Sequence, residues 1–201
     1  MTANQLIENL AATTLLGVKI GDTSVSANVD TLLTLLNMAK NKIAEDTLLW
    51  VGGETLTMVD GTYAYALSTM PIQIIDVFDK NNILRPRNSP DYFGYFQTTP
   101  NELTFNNISN GLEVYVNYYY APSDYIASDE LIVPNTLLSA LQFYIAHKAY
   151  EIGKSDSDLM FSKEYYAKYA NAIKDYKVNS DSSDVDTITS GINKLWLRGI
   201  R

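Results

Sequence analysis

The sequence predicts an α+β fold: a bundle of about four helices carrying an inserted antiparallel β subdomain and an extended C-terminal tail. Three observations predict it. Apolar residues recur at helical spacing near both ends of the 201-residue chain. Between residues 48 and 133 that spacing gives way to alternation broken by turn signals. After residue 178 the core-forming residues thin out and Ser and Asp take over. The boundaries so drawn are 1–47 and 134–178 for the helical body, 48–133 for the inserted β subdomain and 179–201 for the tail. An apolar content of 46% is enough for a real core.

The first helix is expected near residues 4–17. Leu6, Ile7, Leu10, Leu15 and Leu16 fall at roughly helical spacing, and Gly17 supplies a C-terminal break. Residues 19–28, with Gly21-Asp22 and two serines, read as a loop. A second helix begins after Ser26 or Asn28, both good caps, with Asp30 in its first turn, and ends near Glu45-Asp46. Its buried stripe is Val29, Leu32, Leu33, Leu36 and Ile43, and Lys40, Asn41 and Lys42 read as solvated.

Gly52-Gly53 reads as the break between this helix and a strand at residues 55–59, which turns at Asp60-Gly61 into a second strand at 63–67. Residues 72–78 are strongly β-branched and read as a central strand, followed by a second turn signal at Asn81-Asn82. Residues 85–91 hold two prolines, which lack the ladder donor, and read as a loop or exposed arm. Strands at 103–105 and 112–120 are joined by a turn cluster over 106–111.

Helix returns at Val133-Pro134, and Gly153 marks its end. Leu137, Leu138, Leu141, Tyr144, Ile145, Ala149 and Ile152 give this third helix a broad apolar face. Residues 155–158 cap a fourth helix running to about Lys177, with Tyr166, Tyr169, Ile173 and Tyr176 as one stripe and Lys163, Lys174 and Lys177 away from it. Residues 179–190 are too polar and acidic to order themselves. Residues 191–201 differ: Ile192, Leu195, Trp196, Leu197 and Ile200 sit among basic residues.

Composition excludes several classes of function. A net charge of −8 argues against a binder that works by neutralising phosphates. The absence of cysteine rules out disulfides and thiolate chemistry and suits synthesis in a cytoplasm. Residues 1–18 carry Glu8 and no basic start, unlike a signal peptide, and no apolar run approaches a membrane span. The expectation is a soluble protein with no membrane attachment.

The catalytic inventory is thin. One histidine excludes a multi-His metal site, and His147, between Phe143 and Tyr150 on a helix, reads as a packed or edge residue rather than a base. No nucleophile elbow, dinucleotide fingerprint or phosphate loop occurs. The carboxylate pairs Glu45–Asp46 and Asp129–Glu130 sit at element boundaries and read as caps and turns. Asp181, Asp184 and Asp186 lack the glycine turn and terminal glutamate of a calcium loop. The reading is a protein that is not an enzyme, with no catalytic residue, no metal and no cofactor.

Two features point to contacts instead. Tyr92, Phe93, Tyr95, Phe96, Tyr115, Tyr118, Tyr119 and Tyr120 crowd the β region, and alternation cannot bury both Tyr118 and Tyr119 on one face. They read as a two-sided strand, as a tail-protein or subunit interface centred on Tyr92, Phe93, Tyr95, Tyr118 and Tyr119, or as a sugar platform. The segment Leu195, Trp196, Leu197, Arg198 and Arg201 either folds back on its own body or anchors another protein, since Trp and Arg are common hot-spot residues.

The order of motifs is itself informative. Leu6-Ile7, Leu10-Ala11 and Leu15-Leu16-Gly17-Val18 are followed by a helix containing Leu35-Leu36-Asn37. Then come Trp50, Gly52-Gly53-Glu54-Thr55, Gly61, Tyr65, Leu67 and the run MPIQIIDV at 70–77. The segments NYYYAP (117–122) and DELIVP (129–134) lead into the late helix pair with HKAY (147–150). Over roughly residues 6–176 this resembles bacteriophage head-to-tail adaptor proteins. The resemblance implies a structural virion protein at the head-tail junction: a dodecameric ring of this chain under the portal protein, continuing the DNA channel to the tail proteins. Genomic DNA would pass without sequence-specific binding. It also implies a portal or subunit interface for Leu195, Trp196, Leu197, Arg198 and Arg201. Another phage ring or tail-completion protein fits nearly as well, and a carbohydrate-binding accessory module is favoured only by the tyrosines.

Overall fold

The computed structural model describes residues 1–80, 83–84, 94–106 and 109–182. It is an α+β protein with four α-helices and two small antiparallel sheets among the described residues. The chain divides into two compact units, Met1–Ile43 with Asp124–Arg201, and Ala44–Ser123.

In the helical unit, α1 (Ala3–Thr13) opens on a capping box: the Thr2 hydroxyl accepts from the Gln5 amide at 3.2 Å, and the Gln5 side chain accepts from the Thr2 amide at 2.9 Å. Leu6, Ile7 and Leu10 are buried as their spacing predicts. The helix stops four residues before Gly17. The Thr13 hydroxyl bonds back to the Asn9 carbonyl at 2.6 Å, a side-chain bond that Thr offers where a helix ends or bends, and Gly17 sits in the following turn at φ +83°.

Helix α2 (Ser26–Thr47) ends close to the expected position, with Leu48 in the left-handed region at φ 50° and its amide on the Ala44 carbonyl. Its buried face is Leu32, Leu35, Leu36, Ala39, Lys40 and Ile43. Val29 and Leu33 are only half-buried, and Lys40 contradicts the expectation outright, being wholly buried. Burial of a lysine requires a partner for its charge, and Asp124 supplies one.

Helices α3 (Asn135–Gly153) and α4 (Asp156–Ser182) form an antiparallel hairpin. Pro134 occupies the N-cap of α3. Gly153 is the last residue of the helix rather than the residue past it, and the left-handed position falls to Lys154 at φ 63°. Gly153 is needed for another reason: a Cβ there would stand 2.7 Å from Asp158 Cγ. Asp158 in turn closes the start of α4 with Ser155, whose hydroxyl accepts from the Asp158 amide at 3.1 Å. Helix α4 continues five residues beyond Lys177, into the segment expected to lack order. A helix already nucleated and packed extends cheaply through Ser and Asp. On α3, Ile152 is exposed, and on α4 the buried side is Ser162, Tyr169 and Ile173, with Tyr166 exposed.

The β unit holds one sheet of order β1-β7-β3-β4 and another of order β2-β6-β5. The first comprises β1 (Val51–Thr57), β3 (Pro71–Phe78), β4 (Ile83–Leu84) and β7 (Glu113–Tyr120); the second comprises β2 (Ala64–Ala66), β5 (Gly94–Thr99) and β6 (Glu102–Asn106). The Asp60-Gly61 turn is present, with Gly61 at φ +78°, but it does not make a hairpin. It carries the chain from one sheet to the other, since β1 pairs with β7 and β2 with β6. Gly52 and Gly53 lie inside β1, not before it: tyrosine rings of the sheet lie across Gly52, where a Cβ would stand 3.0 Å from Tyr118 and 3.2 Å from Tyr120, and the Asn117 side chain lies across Gly53. Residues 72–78 form an inner strand as expected, bulged near Ile72 and Ile75. The Asn81-Asn82 turn and the proline-containing arm at 85–91 lie outside the described residues. Leu56, Met58, Val77, Leu84, Leu103, Phe105, Val114 and Val116 from the two sheets share one core.

Candidate interaction surfaces

The seam between α3 and α4 is built from aromatic rings. Tyr150 stacks on Tyr165 at 5.6 Å with the planes 10° apart, Phe161 and Phe143 continue the row on either side, and Tyr144 meets Tyr169 edge-on at 5.0 Å. Such pairs add about 0.5–1.5 kcal/mol each beyond the area they bury. The Tyr150 hydroxyl crosses to α1 and donates to the Thr14 carbonyl at 3.0 Å, and burial pushes its pKa up. His147 belongs to this seam. Its Nδ1 lies 2.9 Å from the Ser162 hydroxyl and 3.0 Å from the Ser162 carbonyl, and its ring packs between Tyr144 and Tyr166. The arrangement fixes α4 against α3, as the packed-histidine reading requires.

Beyond the seam the two helices leave an open groove of about 780 Å³, lined by Thr136, Ser139 and Phe143 of α3 and by Lys168, Ala172 and Tyr176, among others, of α4. Its floor is half-buried Phe143, Ala172 and Tyr176, and its rim is polar and exposed, with Asp175 on it. Elsewhere α4 exposes Leu159 and Tyr166 at the edge of the seam, and Met160 to 61% and Val178 to 57% on the side away from it.

A second feature of the helical unit is the strap at residues 124–132. Asn37 of α2 clasps Tyr125 at both backbone groups, Nδ2 donating to its carbonyl at 3.1 Å and Oδ1 accepting from its amide at 2.7 Å. The Lys40 ammonium meets the Asp124 carboxylate at 3.0 Å and lies 5.4 Å above the Tyr125 ring. The amides of Ala3 and Asn4 donate to the carbonyls of Asp129 and Ala127, which ties the strap to α1 as well. The Asp129 carboxylate accepts from the Ile126 amide at 2.9 Å, so it closes a turn, as was read from its position.

In the β unit, Tyr118 and Tyr95 lie in the core, exposed to 4% and 8%. Burial raises the pKa of both phenols, and for Tyr95 the charge of Asp76 adds to the effect. The Tyr118 hydroxyl donates to Glu54 at 3.2 Å, and the same carboxylate accepts from the Ser68 amide at 3.0 Å. Tyr119 is half-buried on the opposite side of β7, as alternation demands. Tyr92, Phe93, Leu195, Trp196, Leu197, Arg198 and Arg201 lie outside the described residues. Sequence reasoning missed Lys40, Asn37 and the groove; the only signal for the first was a lysine standing at a helical interval from Leu36 and Ile43.

Among the described residues no group of three or more His, Asp or Glu is placed to hold a metal ion, and no helix is long and apolar enough to cross a membrane. What the fold offers are surfaces: a groove, exposed apolar side chains on α4 and a strapped helical body. The sequence matches the SU10 adaptor protein family over residues 1–191, and the chain belongs to that family. It is therefore a phage structural adaptor, a component of the virion that works by contact with other virion proteins. A search of curated proteins gives no match.

Proposed function

We propose that the chain is one subunit of a dodecameric ring at the head-tail junction of a phage particle, joining the portal to the tail and continuing the DNA channel. The observation that carries this reading is the match to the SU10 adaptor protein family across residues 1–191. The rest is consistent chemistry. A net charge of −8 favours a channel along which DNA slides, because an acidic wall repels phosphate. The helical unit, formed in this reading by a body that the β unit interrupts in sequence, supplies the ring contacts through α4. The β unit presents Tyr119, together with Tyr92 and Phe93, toward tail proteins or the neighbouring subunit, while Tyr95 and Tyr118 lie in its core. Leu195, Trp196, Leu197, Arg198 and Arg201 anchor the ring to the portal. A sugar platform is not favoured, since Tyr95 and Tyr118 are occupied in the core.

Mass measurement on the purified protein, alone and mixed with portal, tests the reading. A ring-sized oligomer that joins the portal is the expected result. A protein that stays monomeric in both samples overturns it, and one that assembles on tail proteins but never on portal would instead be a tail-completion ring.

A further inference from the structure

The α3–α4 groove and residues 192–201 fit each other in chemistry and in reach. The groove has an apolar floor of Phe143, Ala172 and Tyr176, with Asp175 on its rim and Lys168 also lining it, the Lys168 charge being met by Glu164 at 2.7 Å. Residues 192–201 carry Ile192, Leu195, Trp196, Leu197 and Ile200, with Lys194, Arg198 and Arg201 and no acidic side chain, in a chain whose net charge is −8. An amphipathic basic segment is thus covalently attached to an acidic protein that holds an apolar slot.

Reach follows from where α4 ends. Its last residue is Ser182, and Asn179 and Ser180 line one end of the groove. From there to Lys168, at the other end, the groove follows roughly 17 Å of helix at 1.5 Å per residue. The ten residues from Ser182 to Ile192 can span about 33 Å. The segment can therefore fold back along the whole groove of its own chain. A short tether holds it there at an effective concentration on the order of millimolar, which favours the intramolecular partner over a neighbouring copy.

We propose that residues 192–201 dock in the α3–α4 groove of the same chain, with Trp196 seated on Phe143, Ala172 and Tyr176 and a cation facing Asp175. Docking covers the apolar side chains of the segment in the free subunit. Taking the anchor role above as given, the portal would then compete with the groove for the same residues.

The sequence makes a clean test possible, since it has no cysteine and only two tryptophans, Trp50 and Trp196. In a Trp50→Phe background Trp196 reports alone. Its emission should be blue-shifted and shielded from acrylamide, and Ala172→Glu or Asp175→Lys should move it toward the emission of a free peptide of residues 188–201. Both substitutions keep good helix formers at α4 positions, and a melting curve checks that the fold survives. In parallel, Ser139→Cys with Leu195→Cys should close a disulfide within one chain under mild oxidation. A disulfide-linked dimer would place the segment in a neighbour's groove, and Trp196 emission identical to that of the free peptide would leave the groove empty; either result overturns the proposal. Portal capture by the chain ended at Ser190 is read separately. Unchanged capture there removes the anchor role while leaving the groove result standing.

Discussion

The buried Lys40 gives the sharpest quantitative prediction. Its side chain is 0% exposed and sits 3.0 Å from an Asp124 carboxylate that is itself 71% exposed. Removing one partner of a fully buried pair costs about 3–5 kcal/mol, because a charge is left without compensation. Here one partner faces water, which can re-enter, so the relevant figure is that of a hydrogen bond to a charged group, about 1.5–3 kcal/mol. Asp124→Ala should therefore cost about 2 kcal/mol, or about 4–8 °C in Tm for a chain of this size. Lys40→Met keeps the volume and removes the charge, and should stay within about 1 kcal/mol of the parent. In that background Asp124→Ala becomes an ordinary surface change of less than about 0.5 kcal/mol. Urea melts of the four proteins close the double-mutant cycle, with an expected coupling near 1.5 kcal/mol. Equal cost of Asp124→Ala in both backgrounds would show that Asp124 does not hold the lysine, and the argument would fail.

Other expectations are independent of that pair. Burial raises Tyr95, Tyr118, Tyr125 and Tyr150 above the free value of 10.0, so the folded chain holds these protons more tightly than the unfolded one. Their contribution is complete below pH 10 and is lost as pH rises through the raised values, so the urea midpoint should fall in that range, while these four phenols, and Tyr115 through its hydrogen bond to Glu113, ionise late in a phenolate absorbance titration. Lys154→Gly relieves a left-handed residue at the end of α3 and should stabilise by about 1 kcal/mol, whereas Gly153→Ala forces Asp158 off the α4 cap and should cost about 1 kcal/mol; thermal melts read both. In β1, Gly52→Ala pushes on two packed tyrosine rings and should cost about 1–3 kcal/mol. Gly53→Ala meets only the Asn117 amide end, which can turn away, and should be nearly neutral in the same melts.

The helices were legible because their signals are local. Apolar spacing over residues 29–43 and 137–149, the Ser155 cap and the Pro134 start all act within one or two turns, and the structure places helices there. Most strands were legible for the same reason, but pairing was not. A turn such as Asp60-Gly61 states that the chain reverses, not which strand it reverses against, and here it passes between sheets. The strand β5 went unread because Tyr95 and Phe96 drew attention as surface aromatics, whereas Tyr95 packs against Phe105 in the core. Gly52-Gly53 was misread because the cause at Gly52 is non-local: the rings of Tyr118 and Tyr120, more than sixty residues later in sequence, require backbone without a side chain beneath them.

The surfaces follow the same rule, and it bears on where an adaptor's contacts can be sought from sequence. Lys40 looked solvated because residue type alone assigns lysine to water, and the arrival of Asp124 and Tyr125 from 84 and 85 residues away helps make its burial tolerable. Met160 carries the opposite lesson. Its apolar character predicts burial, yet α4 meets its partner mainly along Ser162, Tyr165, Tyr169 and Ile173, and at about 100° per residue Met160 falls on the far side, 61% exposed, as does Val178. A helix of 27 residues with one buried seam and apolar side chains on its far side has more contact surface than its own fold consumes. That excess cannot be seen in the pattern of α4 alone. It appears only when the seam with α3 is known, and it marks α4 as the helix where substitutions such as Met160→Glu should leave the monomer's melting unchanged while weakening assembly. A loss of monomer stability from Met160→Glu, or unaltered assembly, would show that this face makes no contact between proteins.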